Sequence, residues 1–295
     1  MNTELNNLVS IILVNYNGAD VLIDCLNSLE KFIPRDNCEI ILVDNNSQDN
    51  SVCIINHKFP NIKLIKLPEN VGFGAGNNIG AKVAQGKFLF LLNTDTILTS
   101  NLLPHLIELM STNLDVGVIG TKLVFPDGSF QISFSPKIGI KGEIEAKKIH
   151  ENAEDKNKLN IIEQNFKDIK EVDIVVGAAF FIRTDLFNLL GGFDEKFFMY
   201  FEESDLCQRV RNSGYKILYT PYVSLIHIRG HSVNKISNKM AVEYRRSQIY
   251  YYYKHLPMWE ILMLKIYLIL KFLYEYFTTF NPYSLKILKL VFMYK

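Results

Sequence analysis

A chain of 295 residues, 48% hydrophobic and 21% charged, is long enough to bury a sizeable core and too apolar to be intrinsically disordered. Its formal net charge of +1 supplies no basic field, which argues against nucleic acid as a partner. The four cysteines (Cys25, Cys38, Cys53 and Cys207) form no C-x-x-C pair, so reduced thiols are expected rather than a disulfide framework or a zinc site.

Met1–Leu8 is polar and acidic and lacks a basic n-region, and the apolar run behind it is too short for a signal peptide, so a cytoplasmic location is expected. Val9–Val14 is a short, mostly β-branched run ending in Asn15-Tyr16-Asn17-Gly18, which predicts a buried strand and then a turn. Asp20 to Phe32 carries apolar residues at Val21, Leu22, Cys25, Leu26 and Leu29, a helical spacing with Asp20 placed to cap. Glu39–Val43 is a second buried strand, followed by Asp44-Asn45-Asn46-Ser47. Ile62–Lys66 is a third. Gly72–Gly86 is glycine-rich and then helical. Phe88–Leu92 is a fourth strand, ending in Asn93-Thr94-Asp95. The alternation predicts an α/β fold with a mostly parallel twisted sheet flanked by helices. Ligands of such sheets bind beyond the carboxyl ends of the strands, so the three polar clusters are expected to converge on one crevice.

Lys141 to Lys170 is rich in Lys, Glu, Asp and Asn. It reads as a solvated linker or mobile insertion over about 141–171, with a short amphipathic helix as the alternative. Apolar patterning returns at Val172–Ile182 and continues to about Ile228. Trp259 to Phe280 is again apolar but interrupted by Glu260, Lys265, Lys271 and Glu275. Such charges are costly in a spanning helix and tolerated by an interfacial one. Lys265, Lys271, Lys286, Lys289 and Lys295 outnumber the two glutamates, an excess that suits an anionic leaflet. A helical, membrane-leaning tail over 256–295 is expected, with packing on protein as the alternative.

Five clusters are candidates for chemistry. Asp44, with Asn45, Asn46, Ser47 and Asp49, is either an Asx-rich turn or a ligand site whose carboxylate accepts from a base N–H or a ribose hydroxyl. In Asn70–Gly80, Gly72, Gly74 and Gly76 permit close backbone approach to a ligand, but the spacing is neither the Rossmann fingerprint nor a P-loop. Asp95, beside Asn93 and Thr94, is either a helix cap or a holder of Mg2+ or Mn2+, hard ions that take oxygen ligands and bridge to phosphates. Glu202, Glu203 and Asp205 crowd into an apolar, aromatic setting just ahead of a helix expected to open at Asp205. Burial and mutual repulsion raise carboxylate pKa values and make one a useful base, while acids also favour a helix N-terminus. His227, near Gly230, His231 and Ser232, is either structural or a ligand to Mn2+.

Taken in this order, the segments resemble the family 2 glycosyltransferases, enzymes of the GT-A fold, and within them the bacterial rhamnosyltransferase-like branch. The likeness runs from about Val9 to Lys254. It rests on Val14-Asn15-Tyr16-Asn17, Val43-Asp44-Asn45-Asn46-Ser47-x-Asp49, Asn70-Val71-Gly72-Phe73-x-x-Gly76-Asn77, Leu92-Asn93-x-Asp95, Val176-Gly177-Ala178-Ala179 and Gly191-Gly192-Phe193-Asp194-Glu195-x-Phe197-Phe198-Met199-Tyr200.

The resemblance implies a GT-A domain over 1–255. It implies donor-binding roles for Asn15, Tyr16, Asn17, Asp44, Asn46, Gly72, Asn77, Asn93, Thr94 and Asp95, with Asp44 and the Asn15–Asn17 loop on the nucleoside. Asp95 and His227 would serve the metal, and Gly177, Ala178 and Asp205 the acceptor. Glu203 would be the base, with Glu202 as the near alternative. The family's D-x-D motif reads Asn93-Thr94-Asp95 here, without its first acid. Its Glu-Asp base pair reads Glu202-Glu203, one methylene longer at the second position.

The implied reaction is inverting transfer of a sugar, best matched by rhamnose from dTDP-rhamnose, to a glycan or lipid-linked glycan in bacterial surface polysaccharide synthesis. Mg2+ or Mn2+ would be the cofactor, and the inner face of the cell membrane the location. A UDP-hexose or UDP-N-acetylhexosamine donor and a degenerate, non-catalytic nucleotide-sugar binder are the alternatives. A nucleotidyltransferase is a further one, though the chain lacks an N-terminal glycine-rich signature with a basic residue after the first strand.

Overall fold

A computed structural model describes residues 9–228 and 237–294. Met1–Leu8, on which the expected location partly rests, and Gly230, His231 and Ser232 lie outside these residues. The amino-terminal half alternates β1 (Val9–Asn15), α1 (Ala19–Phe32), β2 (Cys38–Asp44), α2 (Ser51–Lys58), β3 (Lys63–Lys66), α3 (Phe73–Lys82) and β4 (Phe88–Asn93). Then come β5 (Thr96–Leu98), α4 (Leu103–Thr112), β6 (Val116–Val124), β7 (Phe130–Gln131) and β8 (Phe134–Ser135). They are followed by α5 (Ile140–Ala153), α6 (Lys156–Asn165), β9 (Lys170–Glu171), β10 (Ile174–Val175), β11 (Ala179–Arg183) and α7 (Thr184–Leu189). The last elements are α8 (Glu202–Asn212), β12 (Lys216–His227), α9 (Ser237–His255), α10 (Met258–Thr279) and α11 (Pro282–Met293).

The main sheet runs β3-β2-β1-β4-β11-β6-β12-β5, with β7 on β6 and β9 on β12. β3, β2, β1 and β4 are parallel, with α1, α2 and α3 leading into β2, β3 and β4, as the alternation predicts. The sheet as a whole is mixed, which corrects the mostly parallel expectation. β11 is antiparallel to both β4 and β6, and β5 is antiparallel to β12. The cause is local. The Asn93 amide, where β4 ends, donates to the Ala178 carbonyl at 3.0 Å, so β11 starts at the finishing end of β4 and runs back beside it.

Alternation along each strand divides the core between the two faces. Ile11 and Leu13 pack with α1 residues such as Leu22 and Leu26. Ile12 packs with Ala81 of α3 and Leu206 of α8. Asp20 is in the first turn of α1 rather than at its cap; the Ala19 amide instead donates to Asp49 Oδ2 at 3.0 Å.

The charged segment after Lys141 is not a solvated linker. It forms α5 and α6, neither with a fully buried residue. Side chains anchor both: Phe166 stacks on Phe134 at 3.8 Å, and Glu143 accepts from Gln248 and Tyr252. Few apolar positions in a polar background suffice here: Leu159 and Ile162 of α6 meet a small separate core formed by Phe130, Phe134 and Tyr219, and Ile140 of α5 packs on the cluster of α9, α10 and α11.

α10 and α11 pack on α9 through Ile261, Leu264, Leu268, Phe272, Ile287 and Val291, in one cluster with Phe197 and Phe201. No helix among the described residues is long and apolar enough to cross a membrane.

Candidate active site

The register sets the site. Asn15 lies opposite Asp44 on the parallel pair β1–β2, and Val14 opposite Asn93 on β1–β4. The three polar clusters therefore meet at one end of the sheet. Asn15 Nδ2 donates to Asp44 Oδ1 at 3.1 Å and to Ser47 Oγ at 3.0 Å, while Ser47 Oγ also accepts from the Asn17 amide at 2.9 Å. Asn15 and Asp44 are buried, and Asn15 Oδ1 has no hydrogen-bond partner among the described residues. That orphaned acceptor beside a carboxylate is suited to a ligand N–H or hydroxyl. Tyr16 is exposed; Asn17 and Asn46 have left-handed φ of 53° and 64°.

Asn45 organises the next loop. It accepts from the Val71 amide at 2.9 Å and donates to Asn70 Oδ1 and to the Gly72 carbonyl. The glycines permit close packing within the protein. Gly72 has φ +92°, and a Cβ there would lie 2.3 Å from the Phe198 carbonyl oxygen, which accepts from the Phe73 amide. A Cβ on Gly76 would lie 2.8 Å from Val14, and one on Gly80 2.6 Å from Ile12. The run thus lets α3 sit hard on β1 and on the segment ahead of α8. Asn77 is buried and donates to the Phe73 carbonyl one turn back.

Glu202 and Glu203 open α8 within its first turn, where the helix N-terminus favours acids. The helix starts three residues earlier than expected because two successive residues, Tyr200 and Phe201, turn the chain at φ 70° and 69°. Burial raises both carboxyls above their ordinary range, and the neighbouring charge of Glu203 adds to the rise at Glu202. Glu202 Oε2 and Glu203 Oε2 are buried without a hydrogen-bond partner among the described residues. A Cβ on Gly177 would be 3.8 Å from Glu203 Cβ and 3.7 Å from the Phe73 ring. Gly177 and Ala178 therefore join the acids to the end of β4, through the Asn93–Ala178 hydrogen bond.

Asp205 takes a different place from the one expected. It is fully buried and accepts from Arg209 at 2.8 Å, His255 at 2.6 Å and Lys254 at 2.7 Å. Burial alone would raise this carboxyl; the His255 hydrogen bond, with the charges of Arg209 and Lys254, outweighs it and holds the group below its usual range. With its oxygens engaged, Asp205 ties α8 to α9 and has nothing left to offer an acceptor.

Asp95 and His227 are brought together. His227 Nε2 lies 3.4 Å from Asp95 Oδ1, with both side chains nearly buried. His227 Nδ1 lies 2.6 Å from Gln131 Oε1. No group of three or more His, Cys, Asp or Glu suited to a metal ion occurs among the described residues. The pair still fits Mg2+ or Mn2+ bound jointly with substrate. Such ions use one or two protein oxygens plus phosphates, Mn2+ also takes imidazole, and 3.4 Å is longer than an ordinary N–H···O bond. Gln131, Lys254 and His255 escape sequence reasoning, since none sits in a motif and each acts through distant partners, His227 for Gln131, Asp205 and Asp194 for Lys254, and Asp205 for His255.

Comparison with known proteins agrees with this geometry. The "Glycosyl transferase family 2" model matches residues 10–190. The chain is 23% identical over 277 residues to the N-acetylglucosaminyl-diphospho-decaprenol L-rhamnosyltransferase of Mycobacterium tuberculosis, covering 87% of this chain and 88% of that one. It is 28% identical over 237 residues to the O-antigen biosynthesis protein RfbC of Myxococcus xanthus, covering 74% of this chain and 17% of that protein. The mannosyltransferase PcManGT of Pyrobaculum calidifontis, solved with GDP-Man and Mn2+, shares the fold at TM-score 0.58 and 17% identity, over 96% of this chain and 73% of that one. With a GT-A-like sheet, strand-end polar clusters and a family match across most of that sheet, the chain belongs to glycosyl transferase family 2.

Proposed function

We propose that this glycosyltransferase moves rhamnose, with inversion, from dTDP-rhamnose to a glycan or lipid-linked glycan in bacterial surface polysaccharide synthesis. The strongest support is the Glu202–Glu203 pair, each with its Oε2 buried, beside Gly177 and linked through Ala178 and Asn93 to the strand ends that carry Asp44 and Asp95. The rhamnosyltransferase relative supports the choice of sugar and of a lipid-linked acceptor.

Asp44 and the orphaned Asn15 Oδ1 accept from the nucleoside, with Asn17, Tyr16 and Asn46 at the rim. Gly72 and Asn77 keep α3 in place beside the donor, and Asn93 and Thr94 lead to Asp95. Asp95 and His227 would hold Mg2+ or Mn2+, which when bound neutralises the leaving nucleoside diphosphate. Glu203, with Glu202 as the near alternative, takes the proton of the acceptor hydroxyl as its oxygen attacks the anomeric carbon. The bond from that carbon to the diphosphate breaks on the opposite face, so one displacement inverts the centre and the proton ends on the carboxylate. Gly177 and Ala178 leave room for the acceptor.

The tail supports contact with the inner face of the membrane. Trp259, Leu262, Ile266, Leu270, Tyr274 and Phe277 are exposed at helical spacing along α10, about 33 Å of helix. Both tail glutamates are engaged within the protein. Glu260 accepts from the Ile140 amide at 2.9 Å, and Glu275 accepts from Asn281 at 3.3 Å and Ser284 at 3.1 Å. Lys271, Lys286 and Lys289 are exposed, which leaves an apolar and cationic outer surface suited to anionic lipid.

A thermal-shift screen of nucleotide sugars with and without Mn2+ tests the donor, because a ligand of the native state raises the midpoint by mass action. A metal-dependent shift with dTDP-rhamnose, absent in Asp95→Ala, is expected. A shift with a UDP-hexose or UDP-N-acetylhexosamine alone would replace the donor, and no shift with any nucleotide sugar would point to a non-catalytic relative.

A further inference from the structure

Gln131 has no place in any motif, yet it is 2% exposed at the end of the two-residue strand β7, paired through Leu123 of β6. Its amide grips a single residue at two points. Gln131 Oε1 lies 2.6 Å from His227 Nδ1, and Gln131 Nε2 lies 3.4 Å from the backbone carbonyl oxygen of His227.

The two ends of this amide are chemically distinguishable. A carbonyl oxygen only accepts, so the end facing the His227 carbonyl is the NH2 group, and the end facing the ring is the oxygen. An oxygen opposite Nδ1 requires a hydrogen on Nδ1. In the neutral ring the lone pair is then left on Nε2, the nitrogen that lies 3.4 Å from Asp95 Oδ1. A cation between the Nε2 lone pair and the Asp95 carboxylate satisfies both groups; in its absence a second ring proton, which makes the imidazolium, does the same.

We infer that Gln131 is a positioning residue for a divalent cation held between Asp95 and His227. It fixes the imidazole in the tautomer whose Nε2 can ligate, and it fixes the ring plane by holding the backbone of the same residue. Histidines that ligate metals characteristically donate their other ring N–H to an oxygen acceptor, and losing that acceptor weakens metal affinity by about 10–100-fold. This assignment rests on the Asp95–His227 metal reading proposed above and extends it to a residue that touches neither metal nor substrate.

The test measures Mn2+ directly, by the electron paramagnetic resonance of the free ion, with saturating dTDP. Wild type and Gln131→Leu are compared. Gln131→Leu is expected to bind Mn2+ about 10–100-fold more weakly, with its affinity for dTDP in EDTA unchanged. The 15N shifts of the His227 ring, read without metal, are expected to show the Nδ1–H form in wild type and a mixture of tautomers in the variant. Where Gln131→Leu fails to fold, Gln131→Asn, which withdraws the acceptor by one methylene, carries the same comparison. Equal Mn2+ affinity in wild type and variant overturns the role of Gln131 and leaves the metal site standing. No Mn2+ binding in wild type removes the metal site and this inference with it.

Discussion

Asp205 and His255 meet at 2.6 Å in the interior, joining the helix that carries Glu202 and Glu203 to the end of α9. Because the Asp205 carboxylate also holds Arg209 and Lys254, removing its charge leaves Arg209 with the Leu190 and Gly192 carbonyls alone and Lys254 with Asp194 alone. Asp205→Asn is expected to destabilise the protein by about 1.5–3 kcal/mol, read as a lower urea midpoint. The pH dependence follows from the lowered carboxyl. Its contribution is fully present above the unfolded value of about 3.9 and is lost as pH falls through the lower folded value. Wild type is therefore expected to lose stability below about pH 4 by an increment that Asp205→Asn lacks. Identical acid-unfolding curves would remove the network from this role.

Glu203→Gln keeps the shape of the side chain and removes the base. A loss of about 10²–10⁴-fold in kcat is expected, with KM for the donor little changed. Since burial raises this carboxyl, the base is protonated at low pH. Activity should rise with pH along a limb lying above the ordinary glutamate value of about 4.3. If Glu202→Gln produces the loss and Glu203→Gln does not, the two exchange roles.

Gly72→Ala would place a methyl 2.3 Å from the Phe198 carbonyl oxygen on a backbone at φ +92°. The backbone atom can move only with the whole segment ahead of α8. A destabilisation of more than about 2 kcal/mol is expected, with a parallel fall in activity, as the acids shift. A variant with wild-type melting temperature and wild-type kcat would show that the two segments adjust independently.

Leu270→Glu combined with Phe277→Glu adds charge to the exposed face of α10 without touching its buried stripe. Wild type is expected to sediment with vesicles containing phosphatidylserine, less so as salt screens the lysines, and not with neutral vesicles. The double variant should remain in the supernatant. Equal sedimentation of both proteins would argue against this face as the lipid contact.

The parallel half of the fold is legible in the sequence because β1, β2 and β4 are continuous apolar runs that each lead into a polar cluster, and position after a strand forces those clusters together. The direction of β11 is not legible: Ala179–Arg183 reads the same in either sense, and only its tie to Asn93 decides. The candidate site divides in the same way. Asn15, Asp44 and Asp95 lie at strand ends that apolar patterning locates, whereas the start of α8 at Glu202 depends on the left-handed pair Tyr200 and Phe201. Gln131 and His255 act across long separations, and no local pattern announces them. Asp205 sits among acids and looks functional, but its partners are a helical turn ahead and on α9, so its part is to hold the helix.

The paired left-handed residues Tyr200 and Phe201 bear on how this enzyme can be recombined with its relatives. Such conformations persist only where surroundings enforce them. Here the enforcing contacts come from α9: Ser247 holds the Met199 carbonyl at 2.8 Å, and Tyr244 and Tyr251 pack on Phe201. The bend that aims the acids is thus written in two distant stretches of sequence that must be inherited together. A chimera joined after His255 keeps both; one joined anywhere between Tyr200 and Ser247 separates the bend from its clamp, and its acids would lose their aim even if every motif residue were retained.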